Sequence, residues 1–344
     1  MTPKERKQAT HMTDWRFAGL MLSYWCSARC RFCYVGAGPE HTSWADPHRV
    51  VQWWRQLETL ANRSDRHVRV HITGGEPFGR PELLFQVLAL ARDTGLLPAD
   101  KIETNAFWAT DDRVVRDALE KLKSFGVTLI TTDADIFHQE FVPLTHVRRL
   151  VEIGQDVLGE NGVRIRWGNF YDAHRDSDFN FDELSDDEIH CLQADALLAG
   201  KDRLNGKAAW LAAELLKGRP PEAFRDNPCR KAILASRHVH IDPYGNIFPG
   251  TCCGIVLGNA VSEQISEVYD WLDQNGPTGP ILPVLVEQGP FGLIGLAQRF
   301  GFSPLPQGYV TQCQLCYHLR SALFHANQCR KWLTPAECYP QFRI

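Results

Sequence analysis

FAGLMLSYWCSARCRFCY, residues 17–34, carries an apolar run straight into three cysteines, Cys26, Cys30 and Cys33. Residues 17–23 read as a short buried strand, and the cysteines follow it as a loop. Three thiolates at spacings of four and three residues can converge on one inorganic cluster if the loop wraps around it. A four-iron cubane held by three protein ligands keeps one iron open. A site that chelates a substrate needs such an open position, whereas a structural site closes its shell with a fourth ligand.

Outward from this loop the chain alternates strands and helices. Strands are expected at 17–23, 67–73, 101–105, 127–132 and 163–167, and helices at 47–61, 81–93, 111–125 and 143–158. Pro47 and Pro81 suit a first helical turn, and Asp111 and Asp112 favour a helix N-terminus. This rhythm predicts an α/β fold with a parallel sheet, open or closed into a barrel, whose chemistry collects at the C-terminal strand ends. The acidic stretch 172–188 reads as a loop, and 207–217 as a helix ended by Gly218 and Pro220. His238–Asp242, a turn at Gly245, and 247–249 read as a hairpin.

Two further motifs stand at strand ends. Thr73-Gly74-Gly75-Glu76-Pro77 follows the second strand, where glycines permit close backbone approach and Glu76 can accept from an ammonium group. Thr104 and Asn105 close the third strand. Together with Cys26-x3-Cys30-x2-Cys33 and the aromatic Phe32, these residues resemble the radical S-adenosylmethionine (SAM) superfamily. The resemblance implies a partial (β/α)6 TIM-like barrel over 15–205, after a tail at 1–14. It also implies a SAM-binding [4Fe–4S] cluster on Cys26, Cys30 and Cys33. SAM would then lie against Phe32, Gly74, Gly75, Glu76, Pro77, Thr104, Asn105 and Arg166. One electron would cleave SAM to methionine and a 5′-deoxyadenosyl radical that takes hydrogen from substrate, with the radical chemistry belonging to the cofactor. A flavodoxin or ferredoxin is the expected electron donor.

Asp133 and His138 end the fourth strand and are candidates to orient substrate or act as base; Asp135 equally suits a cap for the turn that follows. Arg166 sits on the fifth strand, where it could pair bidentately with a carboxylate. Alternation puts Arg164 on the same face.

Seven of the 11 cysteines lie beyond residue 228, which marks the C-terminal part as chemically distinct. A cysteine before a hairpin, a pair after its glycine, and a later Cys-x2-Cys resemble the twitch and SPASM auxiliary-cluster domains. The resemblance implies a small cysteine-rich α+β domain over 229–344, joined by a linker helix at 206–228. It would hold a second [4Fe–4S] cluster on Cys229, Cys252 (or Cys253), Cys313 and Cys316. A tetrathiolate zinc site needs the same number of ligands. His238 and His240 alternate on a strand nearby and read as core or surface histidines.

Composition narrows the class. The 37 basic and 41 acidic side chains give a net charge of −4, which offers no global basic footprint for nucleic acid. No apolar run is long enough to span a bilayer, and the polar first residues lack the core of a secretory signal. A cytoplasmic location is therefore expected, where thiols stay reduced and cysteines point to metal or catalysis. The resemblance to auxiliary-cluster enzymes implies modification of a ribosomally made peptide by crosslink, thioether or epimerisation. A small-molecule dehydrogenase, epimerase or lyase is the alternative, with Cys191, Cys253, Cys329 and Cys338 as spare hydrogen donors. A non-catalytic zinc-binding module is the remote one.

Overall fold

The computed structural model describes residues 12–177, 179–200 and 204–341; most of the expected 1–14 tail lies outside them. Five strands alternate with four helices along the first half: β1 (Phe17–Met21), α1 (Pro47–Asn62), β2 (Arg69–Thr73), α2 (Pro81–Asp93), β3 (Lys101–Glu103), α3 (Asp112–Ser124), β4 (Ile130–Asp133), α4 (Leu144–Leu158) and β5 (Val163–Arg166). Local chemistry sets the starts. The Asp46 side chain accepts from the Arg49 amide at the start of α1, and Asp111 accepts from the Arg113 and Val114 amides at the start of α3. Pro81 opens α2. Helix α3 buries Val115, Leu119 and Leu122, one stripe at helical spacing. Each such side chain contributes about 1.5–3 kcal/mol when fully removed from water.

The sheet order is β5-β4-β3-β2-β1-β6-β7-β8. β1 pairs in parallel with β2 on one side and with β6 (His238–Ile241) on the other. β2, β3, β4 and β5 continue the parallel series. Helices cover such a sheet, so its strands are buried, and all four residues of β4 are. β7 (Asn246–Pro249) and β8 (Gly258–Asn259) extend it antiparallel. The expected hairpin is thus present as β6–β7. Its first strand is also the sixth parallel strand, beside β1 and not beyond β5.

The segment after β5 departs from expectation. The stretch read as a loop at 172–188 contains the end of α5 (Gly168–His174) and the start of α6 (Asp186–Ala199). Ser185 and Glu188 form a reciprocal capping box there. Asp186 and Asp187 complement the helix dipole. The hydrophobic pattern gave no sign of α6, because it buries only Gln193 and Leu197. Helix α7 (Lys207–Leu215) follows as expected, then α8 (Arg230–Ile233) before β6. Beyond β8 come α9 (Ile265–Asn275), α10 (Leu282–Gln288), α11 (Ile294–Gln298) and α12 (Gln312–His325). Among the described residues no helix is long and apolar enough to cross a membrane.

Candidate active site

The chain leaves β1 through Leu22, whose amide still bonds to the Thr73 carbonyl at 3.0 Å. The Cys33 amide donates to the Cys30 carbonyl at 3.1 Å, which makes the loop turn back. Two bonds from Lys207, at the start of α7, clamp it from outside: its amide to the Cys33 carbonyl (3.0 Å) and its Nζ to the Ala37 carbonyl (2.8 Å). Cys26, Cys30 and Cys33 consequently line one cavity. Cys30 is the most buried of the three. Burial pushes its thiol up, with the neighbouring His138 opposing.

The glycine-rich turn closes over the same cavity. Gly75 has φ +52°, and a Cβ there would stand 1.9 Å from the Trp25 carbonyl oxygen. That oxygen accepts from the Glu76 amide at 2.8 Å, so only glycine fits the approach. Gly74 and Gly75 face the cavity, while Glu76 and Pro77 stand behind its wall. Glu76 is 0% exposed and accepts from Thr104 Oγ1 (2.8 Å) and the amides of Asn105 (2.7 Å) and Phe78 (3.0 Å). Asn105 Nδ2 reaches back to Ser27 Oγ (3.1 Å) and Cys26 Sγ (3.5 Å). One hydrogen-bonded network therefore ties together the ends of β1, β2 and β3.

Burial pushes the Glu76 carboxyl up to about 7, against those three donors. A carboxyl whose folded pKa exceeds its unfolded value holds its proton longer in the native state, so stability falls as pH rises through that window. In the metal-free protein, wild type should lose on the order of 3 kcal/mol relative to Glu76→Gln between pH 4.5 and 7. Parallel urea titrations at the two pH values check this; a constant difference would show that the Glu76 carboxyl titrates alike in the folded and unfolded chain.

Asp133, Arg166 and Glu103 form the opposite wall. Arg166 meets Asp133 twice, Nη2 to Oδ2 and Nε to Oδ1, both at 2.9 Å. Its guanidinium also lies 3.7 Å from Glu103. Glu103 further accepts from Thr73 Oγ1 at 2.9 Å and pairs with Lys101 at 2.5 Å. Burial alone would raise the Glu103 carboxyl, but Arg166, His71 and Lys101 hold it well below its usual range. The ion-pair partner of Arg166, with one hydrogen bond from Nη2, is thus a carboxylate of the protein itself. Glu103 and Lys101 were not singled out in the sequence, although Lys-Ile-Glu before Thr104 alternates as an inward polar pair would.

His138 Nδ1 lies 2.7 Å from Asp135 Oδ2. The other Asp135 oxygen caps the following turn, accepting from the Phe137 and His138 amides. Asp135 thus caps the turn, as its position allowed, and also holds His138. Burial works against charge on His138, yet Asp135 and Cys30 outweigh it and raise the imidazole well above its usual range. Phe32 stacks on Phe137 with centroids 5.2 Å apart and meets the edge of Trp167 at 5.4 Å, a dry shield beside the cysteines.

A second cysteine group lies between α8, β7 and α12. Cys229, Cys252, Cys313 and Cys316 line a second, smaller cavity with Arg320. Cys253 points elsewhere, its Sγ 3.2 Å from Cys338 Sγ. Burial, then Cys316, pushes the Cys252 thiol up to about 11, with Arg320 opposing. Cys191 is exposed and outside both groups.

In neither group do three ligand atoms all lie within 4.8 Å of one another. Among the described residues, the only set of three or more His, Cys, Asp or Glu ligand atoms within 4.8 Å of one another is His71, His238 and His240. Tetrahedral zinc at about 2.3 Å per Zn–S bond holds its sulfurs about 3.8 Å apart. The wider cysteine spacing leaves room for a polynuclear group.

Two solved structures align along most of the chain. One is described as native anSMEcpe with bound AdoMet, at 12% identity and a TM-score of 0.45, covering 90% of this chain and 99% of that one. The other, a polyhistidine-tagged anSMEcpe with bound AdoMet, has 10% identity and a TM-score of 0.45, covering 93% and 97%. No curated protein matches the chain. Residues 20–157, which carry the cysteine loop and the glycine-rich turn, match the family model of the Radical SAM superfamily.

Proposed function

We propose that this chain is a radical SAM enzyme that takes hydrogen from a ribosomally made peptide, in forming a crosslink or thioether or in epimerisation. The observation that carries the reading is the network from Cys26 through Asn105 to Glu76, which joins three motifs far apart in sequence. Cys26, Cys30 and Cys33 would hold a [4Fe–4S] cluster with one iron open to SAM. When bound, that pair supplies the chemistry: one electron breaks a carbon–sulfur bond of SAM, giving methionine and a 5′-deoxyadenosyl radical.

The chain's own groups position and exclude. Gly74 and Gly75 let backbone approach the ligand closely. Asn105 holds the Cys26 side of the loop, and the Asp135–His138 pair keeps a positive charge beside Cys30. Asp133, Arg166 and Glu103 fix the polar wall without reorganising. Phe32 and Trp167 keep water from the cysteines. The four cysteines around the smaller cavity suit a second [4Fe–4S] cluster. Cys229, Cys252, Cys313 and Cys316 would hold it, and the chemistry it would supply is acceptance of an electron, which suits an oxidative outcome on a peptide.

The test is anaerobic reconstitution followed by dithionite and SAM. 5′-Deoxyadenosine should form, with iron near eight per chain at about four per cubane. Deuterium carried into it from a deuterated peptide library would support the peptide substrate; transfer only from deuterated metabolites would favour a small molecule. Colourless, zinc-bearing protein without deoxyadenosine would overturn the reading.

The cysteine pair gives a second expected outcome. Cys252→Ala should lower iron from about eight to about four per chain, whereas Cys253→Ala should leave it unchanged. Equal iron in the two variants would reject Cys252 as the ligand.

A further inference from the structure

Below the cavity lies a cluster that the proposed reaction does not use. The register puts Gly19 of β1 opposite His71 of β2 on one side and His240 of β6 on the other. Neighbouring strands lie about 4.8 Å apart, so two strands flanking a third are about 9.6 Å apart. Histidines on those outer strands meet only if the residue between them has no side chain. Gly19 supplies that gap: a Cβ there would stand 2.2 Å from His240 Cδ2, 2.6 Å from His240 Nε2 and 2.7 Å from His71 Nε2. The Nε2 atoms of His71 and His240 therefore converge over the glycine. His238, two residues before His240 on the same face, adds a third ring, its centroid 4.4 Å from His240 and 5.3 Å from His71.

The geometry points to a site for a first-row divalent transition metal ion, represented by zinc, bound by His71, His238 and His240. One ring nitrogen from each comes within 4.8 Å of the other two. His240 has the outer partner that a metal-bound imidazole commonly has: its Nδ1 lies 2.7 Å from the Gly250 carbonyl. A carbonyl only accepts, so Nδ1 is the donor, and in the neutral ring Nε2 carries the lone pair. His71 is 1% exposed, and its Nδ1 is buried without a hydrogen-bond partner. A buried polar atom in that state is costly and calls for an explanation. The Glu103 carboxylate, 4.0 Å from His71 Nε2, is the nearest anionic group and can complete or neutralise the shell. Lys101 already pairs with that carboxylate. Phe17 stacks on His71 at 4.5 Å and meets His238 at 4.7 Å, closing the lower side with an apolar ring.

Imidazole donors select zinc, copper, iron or nickel over calcium or magnesium. Met21, Thr73 and Glu103 face the cavity one inward layer above this cluster. The metal would thus sit about 6.6 Å further down the strands, at two residues of about 3.3 Å each. There it pins β6 to β1 and β2. β6 leads the chain into the β7 turn that carries Cys252, so the ion would brace the join between the two cysteine regions. No redox step is assigned to it.

The test uses full-length, cluster-loaded protein, in which iron occupies the cysteines. Zinc is titrated anaerobically against a chelator, with metal counted by mass spectrometry and its shell read by X-ray absorption. Wild type should take one zinc equivalent without losing iron, with a nitrogen and oxygen shell near about 2.0–2.1 Å and no sulfur near about 2.3 Å. His71→Gln and His240→Gln should each weaken binding by at least about 100-fold, since outer partners alone cost about 10–100-fold. Iron content and far-ultraviolet circular dichroism verify that the variants are folded. A sulfur shell, no bound zinc in wild type, or undiminished binding in both folded variants would each overturn the site. Deoxyadenosine formation on the same samples keeps the two proposals apart: zinc on nitrogen without SAM cleavage retains this site and rejects the enzyme reading.

Discussion

Cys30→Ala is expected to remove about four irons per chain and to reduce 5′-deoxyadenosine formation to the level of a protein-free control. Three ligands already leave the expected cubane one protein ligand short, so losing another leaves two. Cys30 is also the one of the three least able to be replaced from solution. It is 5% exposed, whereas Cys26 and Cys33 are half-buried, so an added thiol cannot reach its place. The fold should survive. The substitution deletes one buried sulfur, about 1 kcal/mol of packing, and leaves the Asp135–His138 pair and the Lys207 clamp intact. Iron at the Cys229, Cys252, Cys313 and Cys316 site should persist, and Cys191→Ala, at an exposed cysteine, should match wild type. The measurement is iron and deoxyadenosine on the same reconstituted samples. Sustained SAM cleavage in Cys30→Ala would sink the assignment of this loop.

The residues that could be read in advance share one property: each stands at the end of a buried strand and belongs to a contiguous motif. Cys26 to Cys33, Gly74 to Pro77 and Thr104 to Asn105 needed only the strand–helix rhythm to be placed near one another. What could not be read depends on pairing between distant strands. Arg164 and Arg166 have the same alternation, yet Arg164 is exposed and Arg166 faces Asp133. Only the register Thr131↔Arg164 and Asp133↔Arg166 distinguishes them. The histidine cluster needs Gly19, His71 and His240 in one row, which follows from β6 pairing with β1, a pairing that local pattern does not encode. Adjacent Cys252 and Cys253 are separated by a turn that sends one to the cavity and the other to Cys338. Helix α6 was hidden for a different reason, since its start is written in a capping box and its apolar face is nearly absent.

The same register argument makes Arg166→Met the costliest change expected for the fold. The guanidinium holds Asp133 through two contacts and stands beside Glu103, with side-chain exposures of 23%, 10% and 12% for Arg166, Asp133 and Glu103. Removing one partner of a buried pair costs about 3–5 kcal/mol, because the other charge stays desolvated. The cavity gives this wall some access to water, so a loss of about 3 kcal/mol is expected near neutral pH. Glu103 keeps Lys101 and Thr73, and most of the loss falls on Asp133. Without its guanidinium, Asp133 should bind a proton more readily in the folded protein than in the unfolded chain. Native protein then holds more protons, and stability declines as pH rises above the ordinary aspartate range. The cost of Arg166→Met should therefore be greater at pH 8 than at pH 5. Arg166→Lys should recover only part of it, since one compact ammonium cannot stand beside both Asp133 and Glu103 as the planar guanidinium does. Arg164→Met, at an exposed position on the same strand, should stay within about 0.5 kcal/mol of wild type. Urea unfolding of the three variants at both pH values decides the matter. Equal costs for the two methionine variants, or a cost for Arg166→Met that ignores pH, would mean that the pair is solvated and the wall is held by packing alone.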